Sequence, residues 1–307
     1  YFSQTDTSSI KKKKEEFIFV NNYNLVFEDM IDKLLTDITS ENKTEDGTRL
    51  KHLKYNEDGK IIDHVFNHKS LLDDSDIYYI GDSKYYKSDN TAGKASKYKQ
   101  FTYAKNIIQY NLEFFNEKNK EEYYLPNIRY RDEITEGYNI TPNFFVYGYI
   151  DDFKDFEKDN LDNKGDILKT SHWPFRLFDR DTLFVHQYKI NFLYTLKSYS
   201  QFGNQAIEKF RIDTKNKFRK NFIKYFSEKG ESEFKLYEYK NKETAIKDFV
   251  EENFRKIIGK AYITKDDKLI LAKHNDDKDF NLKILLENNF EEFNFEKVNS
   301  CNIAKTH

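Results

Sequence analysis

Residues 60–86 have the sequence KIIDHVFNHKSLLDDSDIYYIGDSKYY, and this stretch decides the fold class. Two segments rich in β-branched and aromatic residues, 60–72 and 77–86, flank the polar run DDSD, which is typical of a turn. The pattern therefore predicts two strands that pair as an antiparallel hairpin. Side chains two apart on a strand point to one face, so Asp82 and Lys84 are expected to emerge together.

A second carboxylate is expected at the same place. A turn at 73–76 could bring Asp63, on the first strand, opposite Asp82. Gly81 is expected to leave space beside Asp82 and Lys84. Magnesium binds through few carboxylates, keeps several waters and takes further ligands from substrate phosphate, while a lysine such as Lys84 can position the nucleophile. The set suits phosphodiester hydrolysis. The alternative for an Asp-x-Lys triplet in a lysine-rich chain is a solvated surface strand.

Helical periodicity recurs on both sides of the hairpin. Apolar spacing predicts a first helix over 25–38, a second over 100–115 and a long amphipathic helix over 184–201. Further elements are predicted at 143–150 (a strand of the same sheet), 205–229 (a basic helix), 243–258 (a helix) and 261–272 (a hairpin). We therefore expect an α/β fold with a mixed central sheet flanked by helices and a largely helical C-terminal half.

Composition limits the classes of function. The 307 residues are 38% hydrophobic, which is enough for a full core, and 51 Lys+Arg against 53 Asp+Glu give a net charge of −2. Attraction to DNA must therefore come from local patches. Cys301 is the single cysteine, which excludes an internal disulfide framework, and no apolar run approaches the roughly 18 residues of a membrane span. We expect a cytoplasmic protein without a signal peptide.

The motif residues resemble a known superfamily. Asp63, a strand and a turn, and then IGDSKYY at 80–86 resemble the PD-(D/E)XK nuclease core, and DSKYY is similar to McrC-like and LlaJI-type restriction subunits in particular. The proline in the superfamily's name is absent, because Ile62 precedes Asp63. The resemblance covers about residues 17–115, and a weaker similarity in RLFDRD at 176–181 extends it to about residue 200.

This resemblance implies a restriction-type DNA endonuclease that depends on Mg²⁺, with Mn²⁺ as a substitute. Asp63 and Asp82 would hold the metal. It also implies a McrB-like AAA+ GTPase as a partner, and the sequence itself contains no G-x-x-x-x-G-K-[ST] phosphate loop. The implied residues are Asp63, Asp82, Lys84 and Glu28 as the catalytic set, with Gln109 and Tyr110 on the following helix as supporting residues.

Several other residues allow a structural and a functional interpretation. The acidic run at 73–76 suits turn formation better than metal binding, and His64 is expected on the strand face opposite Asp63, packed or exposed rather than catalytic. The basic helix either tracks a DNA backbone or forms a solvated face. Its candidate DNA contacts are Lys209, Lys217, Arg219 and Lys220.

The expected organisation is a linker from a missing N-terminal region (1–16), a nuclease core (17–200) and a C-terminal extension of the same domain (201–307). The aromatic and ionic stretch 172–181 is a candidate partner surface. Two other functions stay open for the same residues. One is a repair or recombination nuclease of the junction resolvase type, and the other is a noncatalytic DNA-binding or scaffold module on a decayed nuclease core.

Overall fold

The computed structural model describes residues 22–35, 54, 61–84, 94–116, 127–135, 140–163, 168–169, 184–200, 204–227, 234–275 and 277–295. These residues form an α/β fold with two sheets. The elements in chain order are α1 (Tyr23–Leu35), β1 (His64–Lys69), β2 (Asp76–Lys84), α2 (Lys94–Asn116), β3 (Asn143–Tyr149), β4 (Asp162–Asn163), β5 (Leu168–Lys169), β6 (Phe184–Asn191), α3 (Phe192–Ser200), α4 (Asn204–Ser227), β7 (Phe234–Tyr239), α5 (Ile246–Ile257), β8 (Ala261–Ile263), β9 (Leu269–His274), α6 (Phe280–Asn289) and β10 (Phe290–Glu292).

The first sheet is mixed and has the strand order β1-β2-β3-β6-β4, with β5 also paired to β6. β1 and β2 form the predicted antiparallel hairpin, whereas β2, β3 and β6 run parallel. Helix α1 packs Phe27 and Met30 against one face of this sheet, and α2 packs Tyr103 and Ile107 against the other. Because both faces are covered, β2 is buried from Ile77 to Ser83, which explains its nearly continuous apolar sequence.

Gly81 lies where β2 passes under an aromatic cluster. A Cβ atom at this position would lie 2.3 Å from the ring of Phe144, and that ring stacks on Phe218 of α4 with centroids 4.4 Å apart. The expectation that Gly81 leaves space beside Asp82 and Lys84 is therefore wrong. Its missing side chain instead admits a ring on the other face of the strand.

The predicted helix over 184–201 is wrong in its first half. Residues 184–191 form β6, and the helix begins at Phe192. Val185, His186 and Tyr188 are all buried, so the strand has apolar residues on both faces, and such a run cannot be told from a buried helix by periodicity. Asn191 marks the boundary, because its side-chain oxygen accepts from the backbone N–H of Leu193 at 2.9 Å.

The second sheet is antiparallel and has the order β10-β7-β9-β8. It encloses a separate cluster with helices α5 and α6, in which Phe249, Leu271 and Leu282 are buried. The expectation of a largely helical C-terminal half did not include a sheet of this size, although the predicted hairpin over 261–272 is confirmed as β8 and β9. The sequence did not predict β7, which has six residues, or β10, which has three. No helix in the described part of the chain is long and apolar enough to cross a membrane.

Candidate active site

Two carboxylates face each other at the open end of the β1–β2 hairpin. The register pairs His64 with Gly81, so the next step along the two strands brings Asp63 opposite Asp82. The Asp63 Oδ2 atom also accepts from the backbone N–H of Ser83 at 3.2 Å. The hairpin thus carries both acids to one point, and a backbone hydrogen bond holds the first of them there.

Lys84 lies beside this pair. Its ammonium forms an ion pair with Asp82 Oδ1, and its Nζ atom is 5.7 Å from the centroid of the Phe145 ring. Both charged side chains are largely buried, which makes the interaction stronger than a solvated pair but also costly in desolvation. One buried cation therefore faces more than one carboxylate.

Glu28 adds a third acidic group from α1, where its side chain is half-buried. Burial raises the pKa of Asp63, and the negative charges of Asp82 and Glu28 raise it further, to about 8, against the opposing effect of Lys84. At neutral pH Asp63 therefore keeps a proton. The site carries an excess of negative charge that a bound cation would relieve.

These residues fit a magnesium ion better than a softer metal. Among the described residues no group of three or more His, Cys, Asp or Glu side chains is arranged to hold a metal ion. Magnesium does not require such a group, because one or two carboxylates with water and substrate phosphate complete its coordination. Asp63 and Asp82 could supply such oxygens, and burial together with the negative charge of Asp82 raises the pKa of Asp63. A divalent cation would replace the proton on Asp63.

The structure describes the side chain of only one of the two residues expected to support the site. Gln109 is exposed on α2, and the side chain of Tyr110 lies outside the described residues. Another glutamine of the same helix, Gln100, is fully buried, and its backbone carbonyl accepts from Asn143 Nδ2 at 2.8 Å. The stretches 1–16 and 172–181 also lie outside the described residues.

The basic helix α4 does not present its cations as one face. Lys209 and Lys220 are exposed, and Lys217 forms an ion pair with Asp159 at 2.6 Å. Arg219 is buried, and its Nε atom donates to the carbonyl of Ser70 at 2.9 Å. A DNA-contacting role for Arg219 is therefore wrong, because its guanidinium binds the end of β1 inside the fold.

The acidic run at 73–76 serves the turn. Asp73 Oδ1 accepts from the backbone N–H of Ser75 at 3.0 Å and from its hydroxyl, and Oδ2 accepts from the backbone N–H of Lys265 at 2.8 Å. Asp76 pairs across the hairpin with Lys69 at 2.7 Å. Each carboxylate has protein partners, which agrees with turn chemistry rather than metal binding.

A polar group behind the site was missed in the sequence. His64 is fully buried on the face opposite Asp63, with Nε2 2.6 Å from Ser83 Oγ and Nδ1 3.5 Å from Asp32 Oδ1. Asp32 also pairs with Lys54 at 2.6 Å. One signal was present in the sequence, since Asp32 follows Glu28 by four residues and a helix presents such positions on one face.

The chain matches no protein-family model, no curated protein and no solved structure. The resemblance to PD-(D/E)XK nucleases consequently rests on the motif residues of the hairpin. Any function must be argued from the geometry of these residues and from their charge.

Proposed function

We propose that this chain is a metal-dependent endodeoxyribonuclease of the PD-(D/E)XK type that hydrolyses phosphodiester bonds in double-stranded DNA. One observation carries the proposal: Asp63 and Asp82 face each other at the end of a buried hairpin, with Lys84 paired to Asp82. Burial, with the negative charges of Asp82 and Glu28, raises the pKa of Asp63 to about 8. The α/β architecture, with a mixed sheet between helices, agrees with the expected core.

Each residue has a role that follows from its place. Asp63 and Asp82 would bind Mg²⁺ through carboxylate oxygens, and the ion supplies an acidified water and charge neutralisation when it is bound. Lys84 would orient the nucleophile and stabilise negative charge, because its ammonium is held beside Asp82 in a largely buried position. Glu28 would contribute a further carboxylate from α1, next to Asp63.

We also propose that the protein acts as a restriction subunit with a McrB-like AAA+ GTPase. The similarity of DSKYY to such subunits supports this, together with a sequence that has no phosphate loop and a net charge of −2. Weak overall attraction to DNA should make cutting by the chain alone slow and poorly selective. Rapid cutting at one discrete sequence without a partner would contradict this part of the proposal.

A cleavage assay with a matched control tests the proposed chemistry. Supercoiled plasmid is incubated with Mg²⁺ or Mn²⁺ and either the wild type, Asp82→Asn or Asp76→Asn. Asp76 lies on the same strand as Asp82 and on the same face, and it also pairs with a lysine. We expect Asp82→Asn to stop nicking and Asp76→Asn to retain it. Equal nicking by both variants would overturn the site. Preference for branched DNA would favour a junction resolvase.

Metal binding can be measured without relying on the rate of cutting. A cation that binds the folded site stabilises it by mass action, by about 1.4 kcal/mol at ten times its Kd. We expect Mn²⁺ to raise the Tm of the wild type and of Asp76→Asn but not that of Asp82→Asn. The same rise in all three proteins would show that the ion binds elsewhere.

A further inference from the structure

Three polar side chains form a chain of contacts directly behind the carboxylates. Ser83 Oγ lies 2.6 Å from His64 Nε2, and His64 Nδ1 lies 3.5 Å from Asp32 Oδ1. Burial raises the pKa of Asp32, but its hydrogen bonds and charge interactions with His64 and Lys54 lower it to about 2. Asp32 is therefore an ionised acceptor at neutral pH. The imidazole ring of His64 thus links the two other side chains, with Nε2 hydrogen-bonded to the Ser83 hydroxyl and Nδ1 beside the Asp32 carboxylate.

The same three residue types make the catalytic triad of serine hydrolases. A hydrolase triad needs a hydroxyl that an acyl substrate can reach. Here Ser83 is 9% exposed and lies on the sheet face that α1 covers, while His64 is fully buried. The contacts are therefore suited to holding the backbone in place rather than to attacking a substrate.

The position of these residues shows what they hold. His64 follows Asp63 in the chain, and Ser83 lies between Asp82 and Lys84. The ladder of β1 and β2 reaches His64 and Gly81, so the hydrogen bond between His64 and Ser83 fastens the strands at the end of their regular pairing. The bond is buried, which excludes competing water.

Asp32 extends the same network to α1. It lies one turn after Glu28 on this helix, and it reaches His64 while its side chain stays 27% exposed. Lys54 pairs with its other carboxylate oxygen at 2.6 Å. The network thus joins α1, β1 and β2, and each of them carries a proposed catalytic residue or directly follows one in the chain.

We propose that Asp32, His64 and Ser83 are positioning residues that set the spacing of the cation-binding carboxylates. This inference rests on the proposed nuclease function. Hydrogen-bonding partners behind a metal site orient its ligands, and their loss typically weakens metal affinity by 10- to 100-fold. Loss of the Ser83 hydroxyl should act in the same way, because it frees the ends of both strands without removing a ligand.

The test compares Ser83→Ala with Ser70→Ala. Ser70 is a fully buried serine at the other end of the same hairpin, and its hydroxyl oxygen accepts from the backbone N–H of Leu72 at 3.1 Å. Mn²⁺ affinity is measured by calorimetry without DNA, and the Mg²⁺ dependence of plasmid nicking is measured in parallel. We expect Ser83→Ala to need roughly 10-fold more of either metal. At saturating metal its cutting rate should recover most of the wild-type value.

Two further variants separate positioning from general loss of folding. Ser83→Thr keeps the hydroxyl and should restore metal affinity. Asp32→Asn removes the charge from the half-exposed end of the network and should weaken Mn²⁺ binding in the same direction, which keeps the test usable if Ser83→Ala does not fold. In EDTA, the Tm of Ser83→Ala and of Asp32→Asn should equal that of Ser70→Ala, although both variants bind Mn²⁺ more weakly.

The outcomes distinguish this inference from the proposed function. If the wild type binds Mn²⁺ and cuts DNA while Ser83→Ala and Asp32→Asn show wild-type metal affinity, the positioning role is overturned and the nuclease function stands. If the wild type neither binds Mn²⁺ nor cuts DNA, both proposals are overturned. A loss in Ser83→Ala that Ser70→Ala reproduces would show a general effect of removing a buried hydroxyl and would also overturn the positioning role.

Discussion

Strand β2 has an aspartate near each end that pairs with a lysine, and the surroundings of the two pairs differ. Asp76 pairs across the hairpin with Lys69, and these side chains are 19% and 42% exposed. Asp82 pairs with Lys84 on its own strand, their side chains are 7% and 17% exposed, and Asp63 lies opposite. Solvent screens the first pair, which limits its contribution to about 1 kcal/mol or less. The second pair is desolvated and crowded by like charge.

The comparison shows that the same residue types serve different purposes at the two ends of one strand. The start of β2 has balanced charges, and the neighbouring turn satisfies its own polar groups. The end of β2 has more negative than positive charge in a buried place, which opposes folding unless a proton or a cation is bound. An arrangement that opposes folding is expected at a functional site.

Replacing Lys84 and Lys69 one at a time should give the largest difference in cutting rate between the two pairs. We expect Lys84→Ala to slow plasmid nicking by on the order of 1000-fold, or about 4 kcal/mol in the barrier, because the nucleophile loses a cation held beside the metal. Lys69→Ala should cut at the wild-type rate. Initial rates at saturating Mg²⁺, with circular dichroism to confirm folding, measure the effect. A Lys84→Ala rate close to that of Lys69→Ala would remove the functional difference between the ends.

Loss of the turn carboxylate should have the largest effect on stability. Asp73→Asn weakens hydrogen bonds that a buried carboxylate accepts from Ser75 and Lys265, so we expect a loss of about 2 kcal/mol in the free energy of unfolding. Urea denaturation measures this loss. Asp74→Asn is the control and should change stability by less than about 0.5 kcal/mol, because its carboxylate lies 3.9 Å from Lys265 in an exposed pair. An equally stable Asp73→Asn would contradict the role of the turn.

In EDTA, Asp63 at the end of the hairpin should make the free energy of unfolding depend on pH. The pKa of Asp63 is raised from 3.8 to about 8, so the folded state keeps a proton that the unfolded state releases. Asp63 therefore contributes a negative slope: its share of the stability falls as the pH rises from about 4 to about 8, by at most about 1.4 kcal/mol per pH unit. Burial lowers the pKa of His68 and His186 to about 3, so these two groups contribute a slope of the opposite sign below about pH 6.5, and the comparison with Asp63→Asn isolates the Asp63 contribution. Asp63→Asn should remove the negative slope and should stabilise the protein more at pH 8 than at pH 5. Equal slopes in both proteins would show that the pKa of Asp63 is not raised in the folded state.

The smallest effect is expected at the exposed pair. Asp76→Asn should lower the free energy of unfolding by about 0.5 kcal/mol, and added salt should reduce the difference because the wild-type pair is screened. Urea titrations at low and high NaCl measure both quantities. A loss above about 2 kcal/mol would show that this pair also acts as a buried one.

The β1–β2 hairpin was predictable because its strands carry β-branched and aromatic residues on either side of a strong turn signal. Asp63 opposite Asp82 followed from that hairpin. The sequence could not separate β6 from α3, because a strand buried on both faces has no alternation, and the split depends on Asn191. It also could not show that Arg219 points inward. A cationic residue at a regular helical position does not show which residues of other elements pack against it.

The network of Asp32, His64 and Ser83 also could not be predicted from the sequence. Their contacts join three elements, with Ser83 19 residues from His64 and Asp32 on a helix earlier in the chain, and only tertiary packing decides which polar side chains meet. Gly81 was given the wrong role for the same reason. The ring of Phe144 that occupies its missing side chain belongs to β3, far along the chain.

Helix α4 also protects the edge of the mixed sheet. β1 is the terminal strand of that sheet in the described part of the chain, and a bare terminal strand can pair with another molecule. Arg219 donates to the carbonyl of Ser70, and Lys215 Nζ lies 3.4 Å from the carbonyl of Asn67. Two cations therefore cover acceptors that an incoming strand would need. Arg219, which the sequence suggested for DNA contact, thus acts with Lys215 to oppose edge-to-edge pairing of this strand.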